Sequence, residues 1–215
     1  MTITLWGRPS SSNVQKVRWA LAELGLEHEH VLAGGKFGGN NTPEYLAMNP
    51  NGLVPTLRDG DLVLWESHAI LRYLSAEYGR GRLWPESPKA RAKADQWTDW
   101  AATTLLPAFS GVFWNLVRTP EPQRDEKAIA RHLAETERCL TMLDAELGRS
   151  AYLGGAEFSY GDIPSGMAMF RWTSMDIARQ SHPNGERWHA QLRERRAYRD
   201  MVEVVYSELA GRLSF

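Results

Sequence analysis

The chain has 215 residues, 43% hydrophobic and 24% charged, with a formal net charge of -1. Such a composition supports a globular core in one or two domains, and the near-neutral balance argues against a dedicated nucleic-acid binder. One cysteine, Cys139, excludes an internal disulfide or a cysteine-rich zinc site; with no signal-peptide pattern and no apolar run near the ~18 residues that span a bilayer, a cytoplasmic protein without membrane contact is expected.

Residues 2–6, Thr-Ile-Thr-Leu-Trp, alternate as a strand does. A loop of small and polar residues follows, Gly7 to Ser12. From Asn13 the apolar positions Val14, Val17, Leu21 and Leu24 recur at helical spacing, and Gly25 is placed to close that helix. Residues 27–32 read as a second strand. A glycine-rich loop, 33–42, precedes a short helix with Thr42 as N-cap and Pro43 in its first position.

The stretch Asn49-Pro-Asn-Gly-Leu-Val-Pro-Thr-Leu-Arg-Asp-Gly-Asp-Leu-Val-Leu-Trp-Glu-Ser67 organises this half. A turn at 49–52 leads into an apolar run, 53–57. Asp59-Gly60 reads as a type I′ hairpin turn, with 62–64 as the return strand. Pro55 sits where a ladder donor is needed. It fits an edge strand, the first residue of a strand or a cis step entering the hairpin, and the last fits best. A cis step would leave the Val54 N–H and C=O facing outward, free to pair with an extended peptide. Glu66 and Ser67 open the next helix. A hydroxyl and free N–H groups there suit a carboxylate, and Glu66 suits an ammonium. The order β-α-β-α-β-β-α describes a small mixed sheet with helices on its faces.

Residues 79–88, with Gly79, Gly81, Pro85 and Pro88, read as a linker. Beyond it helical patterns take over. One runs from Ala90 to about Val117 with a kink at Leu106-Pro107. Another runs from Gln123 to Leu147 and ends at Gly148. Ser159 to Asp162 is a capping box before a helix through Met175. Asn184-Gly185 reads as a break, and the last helix as 197–209. Cys139 falls among Leu140 and Leu143 and reads as an inert core thiol. His28 and His30 share a strand face without a third ligand, so no metal is expected. His68 reads as incidental, and His132, His182 and His189 as surface residues.

Ser10-Ser11-Ser12-Asn13 lies between the first strand and the first helix, where α/β folds bind ligands. A hydroxyl there could donate to a thiolate and lower its pKa, or one serine could simply cap the helix. Trp97, Trp100, Phe109, Phe113, Trp114 and Trp172 make the helical half rich in aromatics. Most would be core, and those facing the first half could line a hydrophobic cleft.

Taken together, the strand–serine loop–helix start, Asn49-Pro50…Val54-Pro55-Thr56-Leu57, Glu66-Ser67 with Ile70 and Tyr73-Leu74, and the box Ser159 to Asp162 resemble the soluble glutathione S-transferases over essentially the whole chain. The resemblance implies a thioredoxin-like α/β domain at 1–79, a linker at 80–88 and an all-α domain at 89–215, usually paired as a two-fold homodimer. It implies that glutathione is the co-substrate and that its thiolate attacks a hydrophobic electrophile. Ser11 matches the catalytic serine of the theta and zeta classes, and Asn13 resembles the thiol contact of nu-like bacterial proteins. Val54, after a cis Pro55, would pair with the cysteinyl backbone. Glu66 and Ser67 would hold the γ-glutamyl end, and Lys36 or Asn40 the glycine carboxylate. Phe109, Phe113, Trp114 and Trp172 are the aromatic candidates for the electrophile side, and Asp162 is implied in folding. The zeta class has a cysteine where Asn13 stands, and the beta class places one near this loop. A glutathione-dependent disulfide or peroxide reductase and a non-catalytic binding module are the alternative readings.

Overall fold

A computed structural model describes residues 2–213. The first half is a four-stranded sheet in the order β2-β1-β3-β4, with β1 Ile3–Trp6, β2 His28–Val31, β3 Thr56–Asp59 and β4 Leu62–Trp65. β1 and β2 run parallel, joined by helix α1, Ser12–Leu24; β3 pairs antiparallel with β1 and with β4. Gly25 ends α1 at φ 68°, the left-handed conformation that a residue with a Cβ resists. Helix α2, Pro43–Met48, starts as expected, with the Thr42 hydroxyl accepting from Tyr45 N. Helix α3, Ser67–Tyr78, packs against α1.

The Val54-Pro55 bond is cis. The ladder begins only at Thr56, so residues 53–55 lie outside the sheet. The hairpin turn is one residue later than the sequence suggests. Asp59 pairs with Leu62, so the loop is Gly60-Asp61, and only Gly60 has a positive φ. That is the pattern of a II′ turn, which places glycine first, rather than of I′, which needs positive φ twice.

The second half is helical. Helix α4, Pro88–Trp100, is capped by Ser87 and starts two residues before the expected Ala90. The rod continues through a π-helical turn at Ala101–Leu105, helix α5 at Leu106–Phe113 and a second π turn at Trp114–Arg118. The widened turn directly before Pro107 accommodates the proline inside the rod. Helix α6 spans Glu126–Leu147, α7 Ile163–Ser174, α8 Pro183–Glu194 and α9 Arg196–Met201.

Two sequence expectations fail here. Asn184-Gly185 is the first turn of α8 rather than a break, because the Asp144 carboxylate accepts from both backbone N–H groups at 2.7 and 2.9 Å. The last helix stops at Met201. β-branched Val202, Val204 and Val205 favour helix weakly. Tyr206 is drawn instead against Phe113 and Phe170, with ring centroids 5.3 and 6.2 Å away.

Trp19 on α1 joins the two halves. It is fully buried, with Phe158 and Tyr198 centroids at 5.5 and 4.8 Å. Gly166 on α7 permits that approach, since a Cβ there would come within 2.9 Å of the Trp19 ring. The capping box is present: Asp162 is fully buried and accepts from Ser159 N, Leu153 N and Trp188 Nε1 at 3.0, 2.9 and 3.1 Å. Cys139 is buried, and burial raises its thiol pKa, in keeping with an inert core role.

Candidate active site

A cleft of about 370 Å³ opens where the loop after β1 meets α5 and α7. Ser11 and Asn13 line one side, and Phe109, Phe113 and Trp114 the other. Val54 and Asn40 also line it. Asn13 also borders two adjoining spaces. One, of about 40 Å³, is walled by Val54, Pro55, Glu66 and Ser67; the other, of about 320 Å³, by Lys16, Glu66, Ser67 and His68. Ser11, Asn13, Asn40, Val54, Pro55, Glu66 and Ser67 thus border three adjoining spaces that share Asn13, and Lys36 borders none of them.

Ser11 is the N-cap of α1 by backbone geometry, φ -77° and ψ 123°, yet its hydroxyl makes no capping bond. The simple capping reading therefore fails for Ser11. Its neighbour is committed elsewhere: the Ser10 hydroxyl donates to the Glu208 carboxylate, and the Ser10 carbonyl accepts from Arg171 Nη2 at 2.6 Å. Among the described residues the Ser11 hydroxyl therefore has no partner, at the N-terminus of a thirteen-residue helix, where partial positive charge favours an anion.

The Val54 backbone is held out for a partner by residues the sequence did not single out. Buried Asn49 donates through Nδ2 to Leu53 O at 2.8 Å and to Thr56 Oγ1 at 3.1 Å. Tyr45 Oη donates to Leu53 O at 2.7 Å and accepts from Thr56 Oγ1 at 2.8 Å. Leu53 is thereby fixed, while the Val54 N–H and C=O make no hydrogen bond among the described residues. The signal available in sequence was Asn49 before a turn, where a side-chain amide often bonds nearby backbone.

Glu66 takes φ 69°, the one non-glycine residue with positive φ among those described. Such backbone is costly and tends to gather at ligand sites. It turns the exposed carboxylate beside the buried Ser67 at the start of α3. Beneath them lies Lys16, only 1% exposed, with Nζ 2.9 Å from His68 Nε2. Burial lowers the Lys16 pKa to about 7, Glu66 acting against the shift and Arg171 with it. Burial, with Lys16 and Arg72 nearby, takes His68 down to about 3, so it is a neutral acceptor and not an incidental residue.

The remaining candidates are placed less simply. Lys36 is ion-paired with Glu208 at 2.6 Å, and Asn40 Nδ2 donates to Gly52 O at 2.6 Å. Trp172 is buried in the core and does not line the cleft. Met167 and Arg171, four apart on α7, face the cleft, and Trp172 is turned about 100° away from Arg171. The aromatic wall carries more charge than its sequence implied. The buried Arg171 guanidinium lies 4.8 Å from the Phe113 ring, and that of Arg118 3.9 Å from Trp114. Among the described residues no cluster of side chains could hold a metal ion.

The models of two family domains match: glutathione S-transferase, N-terminal domain, over residues 1–76, and glutathione S-transferase, C-terminal domain, over 95–195. The chain belongs to the glutathione S-transferase family. It is 47% identical over 207 residues to glutathione S-transferase GstB of Escherichia coli, covering 95% of this chain and all of the relative. Glutathione S-transferase 3 of Zea mays is 34% identical over 74% of this chain and 73% of its own. The crystal structure of the theta class glutathione S-transferase of Xanthomonas axonopodis pv. citri with glutathione bound superimposes with a TM-score of 0.91, at 46% identity, over 95% of this chain and 98% of that one. The thioredoxin-like sheet domain followed by a helical domain is the glutathione S-transferase fold.

Proposed function

We propose that this glutathione S-transferase binds glutathione across the adjoining spaces that share Asn13 and delivers its thiolate to an electrophile in the cleft lined by Phe109, Phe113 and Trp114. The observation that carries the reading is the shared border at Asn13. Val54, Glu66, Ser67 and Ser11 all line adjoining spaces that share Asn13. An extended tripeptide would lay its cysteinyl backbone on Val54 and its γ-glutamyl end on Glu66 and Ser67. Its glycine carboxylate would face the loop carrying Lys36 and Asn40.

A free thiol has a pKa near 8.5, so only a few per cent is thiolate at pH 7. A shift of about 2 units corresponds to roughly 2.7 kcal/mol. The Ser11 hydroxyl, the Asn13 amide and the N-terminus of α1 are of the kind and number that supply it. The thiolate then forms a carbon–sulfur bond with the electrophile while the leaving group departs with the bonding pair. The thiol proton goes to solvent.

The test is the ultraviolet absorbance of the bound thiolate, titrated against pH. Ser11→Ala is expected to raise the bound thiol pKa by about 1–2 units, and Asn13→Ala by less. A protein that binds no glutathione at millimolar concentration overturns the reading, and one that binds it with an unshifted thiol is a binding module. We also take the protein to be a cytoplasmic homodimer, which sedimentation would report as twice 24.3 kDa. No helix among the described residues is long and apolar enough to cross a membrane.

A further inference from the structure

Lys16 has no evident structural reason to be where it is. A lysine is almost never fully buried unless paired, and this one has no carboxylate within ion-pair distance among the described residues. Its ammonium has three donors. One reaches His68 Nε2, and no other side chain or backbone group among the described residues takes the remaining two. Lys16 borders the 320 Å³ space together with Asn13, Glu66 and Ser67.

We propose that Lys16 is the cation that receives the α-carboxylate of the γ-glutamyl residue, with His68 positioning its ammonium, and that glutathione binding is therefore coupled to uptake of a proton. This rests on the functional reading above and deepens it. Ser67 and the N-terminus of α3 offer the carboxylate dipoles and hydrogen bonds but no full charge. Glu66, on the same rim, is left for the ammonium of that residue.

The groups facing Lys16 decide the direction of the coupling. From α3 and its N-cap come His68 and Glu66, with Arg72 acting on His68; from α7 comes Arg171. From the π turn before α5 and from α5 itself, Ala102, Leu106, Pro107 and Ser110 border the same space and carry no charge. Burial and Arg171 favour the neutral amine, and only Glu66 opposes them. With its pKa lowered to about 7, Lys16 is mostly uncharged at pH 8 in the free protein. A carboxylate seated against it restores the ammonium, since an opposite charge within ~4–6 Å favours the charged form.

S-methylglutathione has the same γ-glutamyl end and no thiol proton to release; the fraction of a proton its own amine gains against Glu66 is common to every variant and is subtracted, so uptake below means the part due to the protein. Calorimetric titration at pH 8 in two buffers of different ionisation enthalpy reads the protons exchanged. The wild-type protein is expected to take up most of one proton per ligand. Lys16→Met is expected to bind about tenfold more weakly with no uptake. Lys16→Arg, which keeps a charge that does not titrate in this range, is expected to retain affinity and lose the uptake. Tight binding by wild type without proton uptake overturns the proposal, as does unchanged affinity in Lys16→Met. Absence of any binding by wild type overturns the functional reading itself, and this inference with it.

Discussion

At the scale of single residues, buried titratable side chains govern how the fold responds to pH. His189 reads as a surface residue, yet it is 8% exposed, with Nε2 2.9 Å from Tyr198 Oη. Tyr198 itself donates to Gly166 O at 3.0 Å, so His189 is the donor to the tyrosine oxygen. Burial, with Arg193 assisting, lowers the His189 pKa to about 4. A histidine with a depressed folded pKa is protonated more readily when unfolded. Its contribution to stability is present above about pH 6.5 and is lost as pH falls towards 4. His189→Gln is expected to flatten the acid limb of the stability curve over that window, by about 1–3 kcal/mol in chemical denaturation at pH 4.5 against pH 7. Asp162 works in the opposite sense: burial raises its pKa to about 6, so its ionisation costs stability as pH rises through that value. His182, also read as surface, is buried against the Glu137 carboxylate at 2.7 Å. Hydrophobic period locates apolar faces well, but a polar residue on such a face is satisfied by partners distant in sequence.

At the scale of elements, local chemistry was legible where one short segment contains its own cause. Thr42-Pro43, Gly25, the capping box at Ser159 and the Val-Pro step each carry their cap or turn within a few residues. Elements set by distant packing were not. The last helix ends where Tyr206 leaves for the cleft wall, and Trp172 faces the core because of its rotation about α7. The Val54 loop depends on Asn49, Tyr45 and Thr56 acting as one network. Asn49→Ala is expected to lower thermal stability by about 1–3 kcal/mol, since it strips a buried acceptor and donor set. It should also raise KM for glutathione more than it lowers kcat, because it loosens the peptide platform and leaves Ser11 untouched. Asp162→Ala leaves Leu153 N, Ser159 N and Trp188 Nε1 without their acceptor. A loss of about 3 kcal/mol or more is expected in urea denaturation.

At the scale of the molecule, the site lies on a seam, and the seam is held unevenly. Trp19, packed between α7, α9 and Phe158, is the apolar anchor. Trp19→Ala is expected to cost about 3–5 kcal/mol and to broaden the melting transition as the two halves lose coupling. Across the same seam, Arg72 on α3 meets Asp95, 2.6 Å away, and Asp99 on α4. These groups are partly exposed, so Arg72→Ala is expected to cost less than about 1 kcal/mol, with a salt-dependent effect. The two-domain plan was readable from the change of pattern after residue 79, since strand alternation and helical period differ plainly. How the halves grip each other was not, because every such contact joins residues far apart in the chain.

One such contact joins residue 10 to residue 208. The Glu208 carboxylate, in the short turn Ser207–Leu209, accepts from Ser10 and pairs with Lys36, and these bonds hold its pKa low. The loop carrying Ser11 is therefore latched to a segment 198 residues further along the chain. During synthesis the sheet and most helices can form while this latch is still absent. A nascent chain arrested before residue 208 would fold around an unfastened serine loop. Glutathione-affinity capture of staged nascent chains should accordingly switch on late, after the fold has become protease-resistant.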